Sequence, residues 1–525
     1  MLVNTQFIII CIIFAACAMV SIIRQLQMLQ QNSYFPTRYL KWLYNSYFYQ
    51  SVIFTAAFCA ISVLCRLNKP VAVLIIAAAV LAAQLFFGIK NYKSSIKKIV
   101  FTKRVLRLII AAAVIIAALV IVCIKSTGAL HGITFVALII CGLWSPALVL
   151  LAWFITWPVE KICSKYYISD AVKILDSCGN LCVIGVTGSY GKTGTKFILS
   201  RILSEHFNVV TTPGSYNTTM GVVKTVREML RPETQIFICE MGAKNRGDIK
   251  EICDIVRPNI GIITSVGPQH LDTFKTVDNV FLTKFELYTA CKRNNGEVFV
   301  NIDSKALAER LGEKDCRTYG LTGGESRAVN IEYGPFGARF TVCTGNTEIP
   351  LTTKLLGKHN VANITGAVGI AYMLGVTTEE IRYAVSRLEP TEHRLQMKPW
   401  FNGCTMIDDA YNANPEGCIE AVQLLASFTN KTKIIITPGL VELGDKEYDF
   451  NYKLGLAAAK ICDIIVLVGK NRAKPLADAI ATTEFNADNM KIVSSFAEAS
   501  DFIKQIADEN SVVLIENDLP DNYLN

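Results

Sequence analysis

Five apolar runs dominate the first third of the chain, at 6–23, 47–65, 71–89, 105–124 and 133–155. Each is long enough to cross a hydrocarbon core of about 30 Å as a helix. The first has no basic flank ahead of it and further runs follow, so it is expected to stay as a span rather than be cleaved as a leader. From Leu181 the pattern changes. Short apolar segments (LCVIGV, QIFICEM, IGIITSV, GEVFVNI) alternate with amphipathic stretches of helical period, which predicts parallel strands covered by helices. The expected architecture is an N-terminal α-helical transmembrane region of about five helices over residues 1–160, followed by an α/β region.

Charge orients the spans. Lys90, Lys93, Lys97, Lys98, Lys103 and Arg104 follow the third run, and Arg24, Arg38 and Lys41 follow the first; the alternate loops carry only Arg66 and Lys69, then Lys125. Basic residues favour the cytoplasmic side of short loops. The N-terminus is therefore expected outside and everything after Trp157 inside: a multi-pass protein of the cell membrane whose α/β part is cytoplasmic.

Composition sharpens this reading. Hydrophobic residues make up 51% of the 525 and charged residues only 18%, more apolar than a soluble chain usually is. The net charge of +8 could suggest nucleic acid, but the basic residues cluster between apolar spans and no aromatic-basic interleaving occurs elsewhere. Membrane lipid is thus the expected partner and nucleic acid is not. Seventeen cysteines scatter without a C-x-x-C pair, which argues against a disulfide framework or a zinc site. The spans hold no Asp or Glu, whereas ion and proton pathways need intramembrane ionisable groups. That weighs against a transporter and leaves two roles for the spans, an anchor or a groove for a lipid-linked substrate.

The strand LCVIGV leads into Gly185, Gly188, Gly191, Lys192 and Thr193, with a helix expected from Thr195 to about His206. Glycines admit backbone N–H groups to phosphate oxygens, a helix N-terminus adds positive potential, Lys192 supplies a point charge and Thr193 can hold Mg²⁺. The strict G-x-x-x-x-G-K-[ST] pattern misses by one position, because Val186 stands where its first glycine belongs and Gly185 precedes it.

The variant G-x-x-G-x-x-G-K-T resembles the ATP loop of the Mur ligases, and further motifs follow in that family's order from about 165 to about 480. The resemblance implies a P-loop central domain at 161–392 and a smaller Rossmann-like domain at 393–525. It also implies ATP and Mg²⁺ as cofactors, with Gly188, Gly191, Lys192, Thr193 and Gly194 around the phosphates. TTPGSYNTTMGV places Asn217 and Gly221 near substrate, CEMGAKNRGDI makes Glu240 a Mg²⁺ ligand, and SVGPQHLDTF makes His270 a second metal-associated residue. FLTKFEL offers Lys284, which many members carry as a carbamate. Lys192, Glu240, His270 and Lys284 are thus the implied catalytic set, and Thr193, Glu240, His270 and Lys284 the implied metal set. Taken singly, each would read as an ordinary surface or capping residue.

Beyond these, Asn301 in NIDS matches an adenine-side asparagine, Arg394 in HRLQM a domain-junction arginine, and LLGKHNVANITG a G-x-H-N-x-x-N helix start. MIDDAYNANPEG resembles the D-alanyl-D-alanine-adding branch, with Asp409 implied at the ribose and Asn412 and Asn414 at phosphate or substrate. Asp408 and Asp409 could instead be an acid-base pair, but neighbours on a strand face opposite ways. Glu442 in VELG matches an E-L-G segment or starts a helix. The implied activity is ATP-dependent, ADP-forming ligation of a carboxylate, through an acyl phosphate, to an amino acid or dipeptide amine in peptidoglycan or related envelope synthesis. Implied partners are a cell-wall precursor and other envelope-synthesis enzymes. Two departures stand out: the membrane third occupies the place of the family's UDP-binding domain, which suggests a lipid-linked precursor, and SVVLIEND replaces the family's K-G-S-R segment with acids. A capsule-type poly-γ-glutamate synthetase and a nucleotide-dependent transporter or scaffold are the alternatives.

Overall fold

The computed structural model describes residues 5–46, 57, 60–61, 70–94, 98–126, 128–268, 271–410, 414–441, 443–469 and 472–517. Two compact units divide at Lys165 and Tyr166.

The first unit is helical. Among the described residues, three helices are long and apolar enough to cross a membrane, Ile8–Gln31, Lys103–Lys125 and Ser145–Ser177, and two shorter apolar ones are Val71–Phe87 and Gly132–Leu143. The run expected at 47–65 lies almost wholly outside the described residues. The run expected at 133–155 is not one helix: Gly128–Leu143 ends, Trp144 intervenes, and Ser145–Ser177 begins. Pro146 stands in the first turn of the second helix, where the N–H that proline lacks has no intrahelical partner to lose.

Ile10, Phe14, Ala18, Ile22 and Leu26 recur every four residues along the first helix and share a buried core with Leu108, Ala112 and Ile116, the stripe an amphipathic helix presents to its neighbours. One end of the unit is polar. Gln30 exchanges two 2.9 Å hydrogen bonds with the backbone of Val100, the Arg104 guanidinium lies 4.0 Å from the Tyr34 ring centre, and Arg107 donates from Nε and Nη2 to the two oxygens of Glu160 at 2.6 and 2.9 Å.

The second unit contains two sheets. The larger runs β2-β3-β1-β4-β5-β6-β7-β8-β9, with β1 at Cys182–Thr187, β2 Val209–Thr211, β3 Ile236–Glu240, β4 Ile260–Ile263, β5 Glu297–Asn301, β6 Arg317–Gly320, β7 Ser326–Gly334, β8 Gly337–Thr344 and β9 Thr347–Thr353. Pairing is parallel as far as β7 and antiparallel beyond it. Alternation along the strands builds a core on each face: Ile184, Val186, Ile236 and Ile238 point to one, and Val183, Phe237 and Cys239 to the other. This is the period-2 burial of a sheet covered on both sides. The last turns of the helix Ser145–Ser177 add Ile168, Ala171, Ile174 and Leu175 to the second core.

The chain leaves β1 toward β2 and β3 on one side and returns to β4 on the other. A crevice therefore opens at the carboxyl end of β1, where such sheets bind ligands.

The smaller sheet runs β10-β11-β15-β12-β13-β14, from β10 (Gln396–Pro399), β11 (Thr405–Asp409), β12 (Thr432–Thr437), β13 (Ile464–Val468), β14 (Met490–Val493) and β15 (Ser511–Glu516). Only β10 is antiparallel. The final strand β15 inserts between β11 and β12, so Asp409 and Glu516 become paired neighbours.

Candidate nucleotide site

Gly185 is not part of the loop. It sits inside β1, paired with Cys239 and Gly261, and a Cβ there would lie 2.6 Å from Leu287 Cδ1. Close helix packing explains this glycine; the turn itself begins at Gly188, with Ser189 and Tyr190 between it and the Gly191-Lys192-Thr193 run, and Val186 remains where the strict pattern has its first glycine. Gly188 (φ 152°) and Gly191 (φ 79°) adopt backbone that favours glycine; a Cβ at Gly188 would meet Thr264 Oγ1 at 2.0 Å. The helix that follows is Lys192–Leu203, a turn earlier than expected, so Lys192, Thr193 and Gly194 form its first turn.

The loop is held from β4. Ser189 N donates to Ser265 O at 2.8 Å, Tyr190 N to Ser265 Oγ at 2.8 Å, and Tyr190 OH to Pro268 O at 2.9 Å. Asn301 donates to Thr264 O at 2.9 Å, which braces that same strand end. Lys192 Nζ donates to two loop carbonyls, Gly188 O at 2.7 Å and Ser189 O at 3.1 Å. Desolvation lowers its pKa to about 8, with Arg394 adding to the depression and Glu240 opposing it.

Glu240 ends β3 beside the loop and is 1% exposed. Thr193 Oγ1 lies 3.1 Å from both of its carboxylate oxygens, Asn217 Nδ2 donates to it at 3.1 Å, and Lys196 Nζ stands 3.0 Å from Oε2. Lys284 is buried in the helix Val277–Arg293. Burial drives its pKa well below the usual range and the charge of Lys192 pushes it further, against Glu286 and Asp248. Lys192, Glu240 and Lys284 thus belong to one electrostatic neighbourhood. His270 lies outside the described residues, as do Asn412 and Glu442. Among the described residues no three His, Cys, Asp or Glu side chains cluster as a metal site. Thr193 and Glu240 nevertheless offer adjacent oxygen donors, which fit Mg²⁺, a hard cation that keeps several waters and takes phosphate oxygens as ligands.

The helix Lys358–Met373 closes over the loop. A Cβ on Gly191 would meet Asn363 Oδ1 at 3.0 Å, and one on Gly194 would sit 3.7 Å from Asn363 Nδ2. The same helix start reaches the second sheet's domain: Lys358 Nζ and His359 Nδ1 lie 3.2 and 3.0 Å from the two oxygens of Glu420. Burial would raise the Glu420 pKa, but those partners outweigh it and hold the carboxyl low.

Asp408 and Asp409 take different partners, as strand geometry requires. Asp408 Oδ2 faces His393 Nδ1 at 2.8 Å and Lys398 Nζ at 3.4 Å, while Asp409 Oδ1 accepts from Leu395 N at 3.2 Å. Burial raises the Asp409 pKa against the opposing charge of Arg394. Glu516 is fully buried and accepts from the Cys418 thiol at 2.8 Å; burial, then Asp409, push its pKa well up. Asn414 caps the helix Pro415–Leu425, accepting from Gly417 N at 2.8 Å, a structural duty that asparagine before proline performs well.

One residue of the site is not marked by any sequence motif, Lys196; Asn363 is the last asparagine of the G-x-H-N-x-x-N segment. A signal for Lys196 exists all the same: it stands four residues after Lys192 and three before Leu199, on the helix face that is buried.

A strand, a glycine turn, Lys-Thr at a helix start and a carboxylate on the adjacent strand define a phosphate-loop α/β domain, here joined to a second parallel α/β domain. The chain belongs to the Mur ligase family. The family's middle domain matches residues 186–371 and its glutamate ligase domain matches 393–516. The UDP-N-acetylmuramoyl-tripeptide--D-alanyl-D-alanine ligase of Bacillus subtilis (strain 168) is 30% identical over 334 residues, 63% of this chain and 70% of its own length. That of Mycobacterium tuberculosis (strain ATCC 25618 / H37Rv) is 30% identical over 309 residues, 56% of this chain and 60% of its own. The crystal structure of MurF from Acinetobacter baumannii superposes with a TM-score of 0.60 at 28% identity, covering 67% of this chain and 77% of that one. The chain spans 60% of the length of the first curated relatives it matches.

Proposed function

We propose that the protein is a membrane-anchored, ATP-dependent amide ligase of the Mur type, working at the cytoplasmic face of the cell membrane in peptidoglycan or related envelope synthesis. The observation that carries this reading is the grouping of Lys192, Thr193 and Glu240 at the carboxyl end of β1, with Lys284 electrostatically coupled to Lys192. In this chemistry a substrate carboxylate attacks the γ-phosphorus of ATP, ADP leaves, and an amine displaces phosphate from the acyl phosphate to give the amide. Negative charge gathers where phosphates and carboxylate meet. Lys192 turns from the loop carbonyls to the phosphates. Thr193 and Glu240 would hold Mg²⁺, which would supply further neutralising charge there; His270 is the metal-associated residue that the family motif implies.

Lys284, whose charged form burial disfavours, is suited to take up CO₂ as a carbamate and so become an anionic metal ligand. Arg394, Asp409 and Asn301 face the nucleoside end. Asn217 and the amide nitrogen of Asn414 serve the substrate side, to which the motif also assigns Asn412. The names of the relatives supply the amine side, D-alanyl-D-alanine, and a muramoyl tripeptide as the carboxylate side.

The membrane orientation draws support from the polar end of the first unit. The three segments that basic residues assign to the cytoplasm, around residues 30, 100 and 160, meet there through Gln30, Arg104 and Arg107. Apolar helices precede the phosphate-loop domain in the chain, and on that ground the acceptor is taken to be lipid-linked. Purified protein in detergent, supplied with ATP, D-alanyl-D-alanine and either UDP-muramoyl tripeptide or its lipid-linked equivalent, is expected to release phosphate faster with the lipid-linked form. Faster release with the soluble form would remove this part of the proposal.

A further inference from the structure

Lys196 is 0% exposed, and a fully buried lysine needs a partner to justify its charge. It has two. Nζ stands 3.0 Å from Glu240 Oε2 and donates to Gly214 O at 2.5 Å. Its position follows from the loop motif: Lys192 opens the helix and Lys196 lies one turn on, so both ammonium groups approach the same crevice, Lys192 toward the loop carbonyls and Lys196 toward the carboxylate. Glu240 is ringed by donors, Thr193 on both oxygens, Asn217 on Oε1 and Lys196 on Oε2. Of these only Lys196 carries a charge.

The segment 212–217 is also tied to β3 and the residues just after it: Thr212 N donates to Ile238 O at 3.1 Å, Glu240 N to Thr212 Oγ1 at 3.1 Å and Gly242 N to Asn217 O at 2.7 Å. Lys196 ties down its middle, at Gly214.

We infer that Lys196 is a positioning residue for this site: its ammonium fixes the Glu240 carboxylate and the 212–217 turn in place, and it is the counter-charge with which a divalent cation shares that carboxylate. The inference rests on the reading of Glu240 as part of the nucleotide and metal site. The charge balance gives its sign. Lys196 and Glu240 balance each other before a metal binds; with Lys196 neutral the carboxylate loses that contacting counter-charge and the crevice becomes one charge more negative. A neutral residue at 196 therefore destabilises the metal-free protein and strengthens divalent-cation binding. It also frees the turn that carries Asn217, so the KM for the carboxylate substrate rises more than kcat falls.

The test is thermal unfolding of the full chain in detergent, with ADP plus EDTA and with ADP plus Mg²⁺, for wild type, Lys196→Met and Lys196→Arg. Lys196→Met is expected to melt lower than wild type in EDTA, to gain more from Mg²⁺, and to show an apparent Mg²⁺ dissociation constant about fivefold lower. Lys196→Arg is expected to track wild type. Lys196→Gln serves if the methionine variant does not fold. An unchanged Mg²⁺ increment in the neutral variants overturns the inference and leaves the site reading standing. A wild type indifferent to Mg²⁺ with ADP overturns both.

Discussion

Lys192→Ala is expected to lower ATP turnover by roughly a thousandfold, with the melting temperature close to that of wild type. Two observations combine to give this result. Lys192 is only half-buried, and its ammonium contacts two carbonyls of its own loop, so its loss removes little packing and no ion pair. Desolvation has already depressed its pKa to about 8, so the amine end sits in surroundings poor in water, where an arriving phosphate restores and uses the full charge. Charge placed where a reaction builds up negative charge, in a water-poor site, is worth far more than the same charge in solution. A coupled assay for ADP alongside a melting curve checks both halves. Turnover within tenfold of wild type would remove Lys192 from the phosphate site.

Glu240→Gln should be damaging in two ways. Turnover is expected to fall by about a hundredfold or more, because the only described carboxylate beside Thr193 is gone and Mg²⁺ has lost its charged ligand. Stability should fall as well, by about 3–5 kcal/mol, because Lys196 is left buried without a counter-charge. The second effect has a signature of its own. Adding Lys196→Met to Glu240→Gln is expected to recover most of the lost stability and none of the turnover, a non-additivity that denaturant titration of the four proteins in the cycle measures. Additive losses would mean that the 3.0 Å contact does not act as an ion pair.

Much of the fold and of the site is legible in the sequence alone, and the reasons are local. Short apolar runs alternating with amphipathic stretches predict a parallel α/β sheet, and Gly191-Lys192-Thr193 announces a phosphate loop because few other sequences need that combination in so short a space. Glu240, a Mg²⁺ ligand by its motif, stands 3.1 Å from Thr193 Oγ1. The misreadings also have local causes. Gly185 reads as a displaced loop glycine, yet it is a packing position against Leu287, and glycine alone does not distinguish the two needs.

Asn414, which the motif implies at phosphate or substrate, also caps a helix with its Oδ1, since Asn-Pro-Glu is equally a helix start. Ser145-Pro146 signals the break that splits the last apolar run, and hydropathy averaged over a window hides it.

What the sequence does not supply is non-local. The insertion of β15 between β11 and β12, which sets Glu516 against Asp409, depends on strand order. So does the meeting of Lys358 and His359 with Glu420 across two domains. Lys196 falls between these cases: its burial is readable from helical spacing, and its partner is not, because Glu240 is distant in sequence.

The central claim is that ATP cleavage at this loop is spent on forming an amide bond. Its most direct test is mass spectrometry of the products after the purified full-length protein is incubated with ATP, Mg²⁺, a muramoyl tripeptide acceptor in soluble or lipid-linked form, and D-alanyl-D-alanine. The account predicts a new species at the mass of acceptor plus dipeptide less one water, formed one for one with ADP and absent when either substrate is withheld. ADP production that proceeds without the acceptor and the dipeptide, with no amide product from either acceptor, would contradict it.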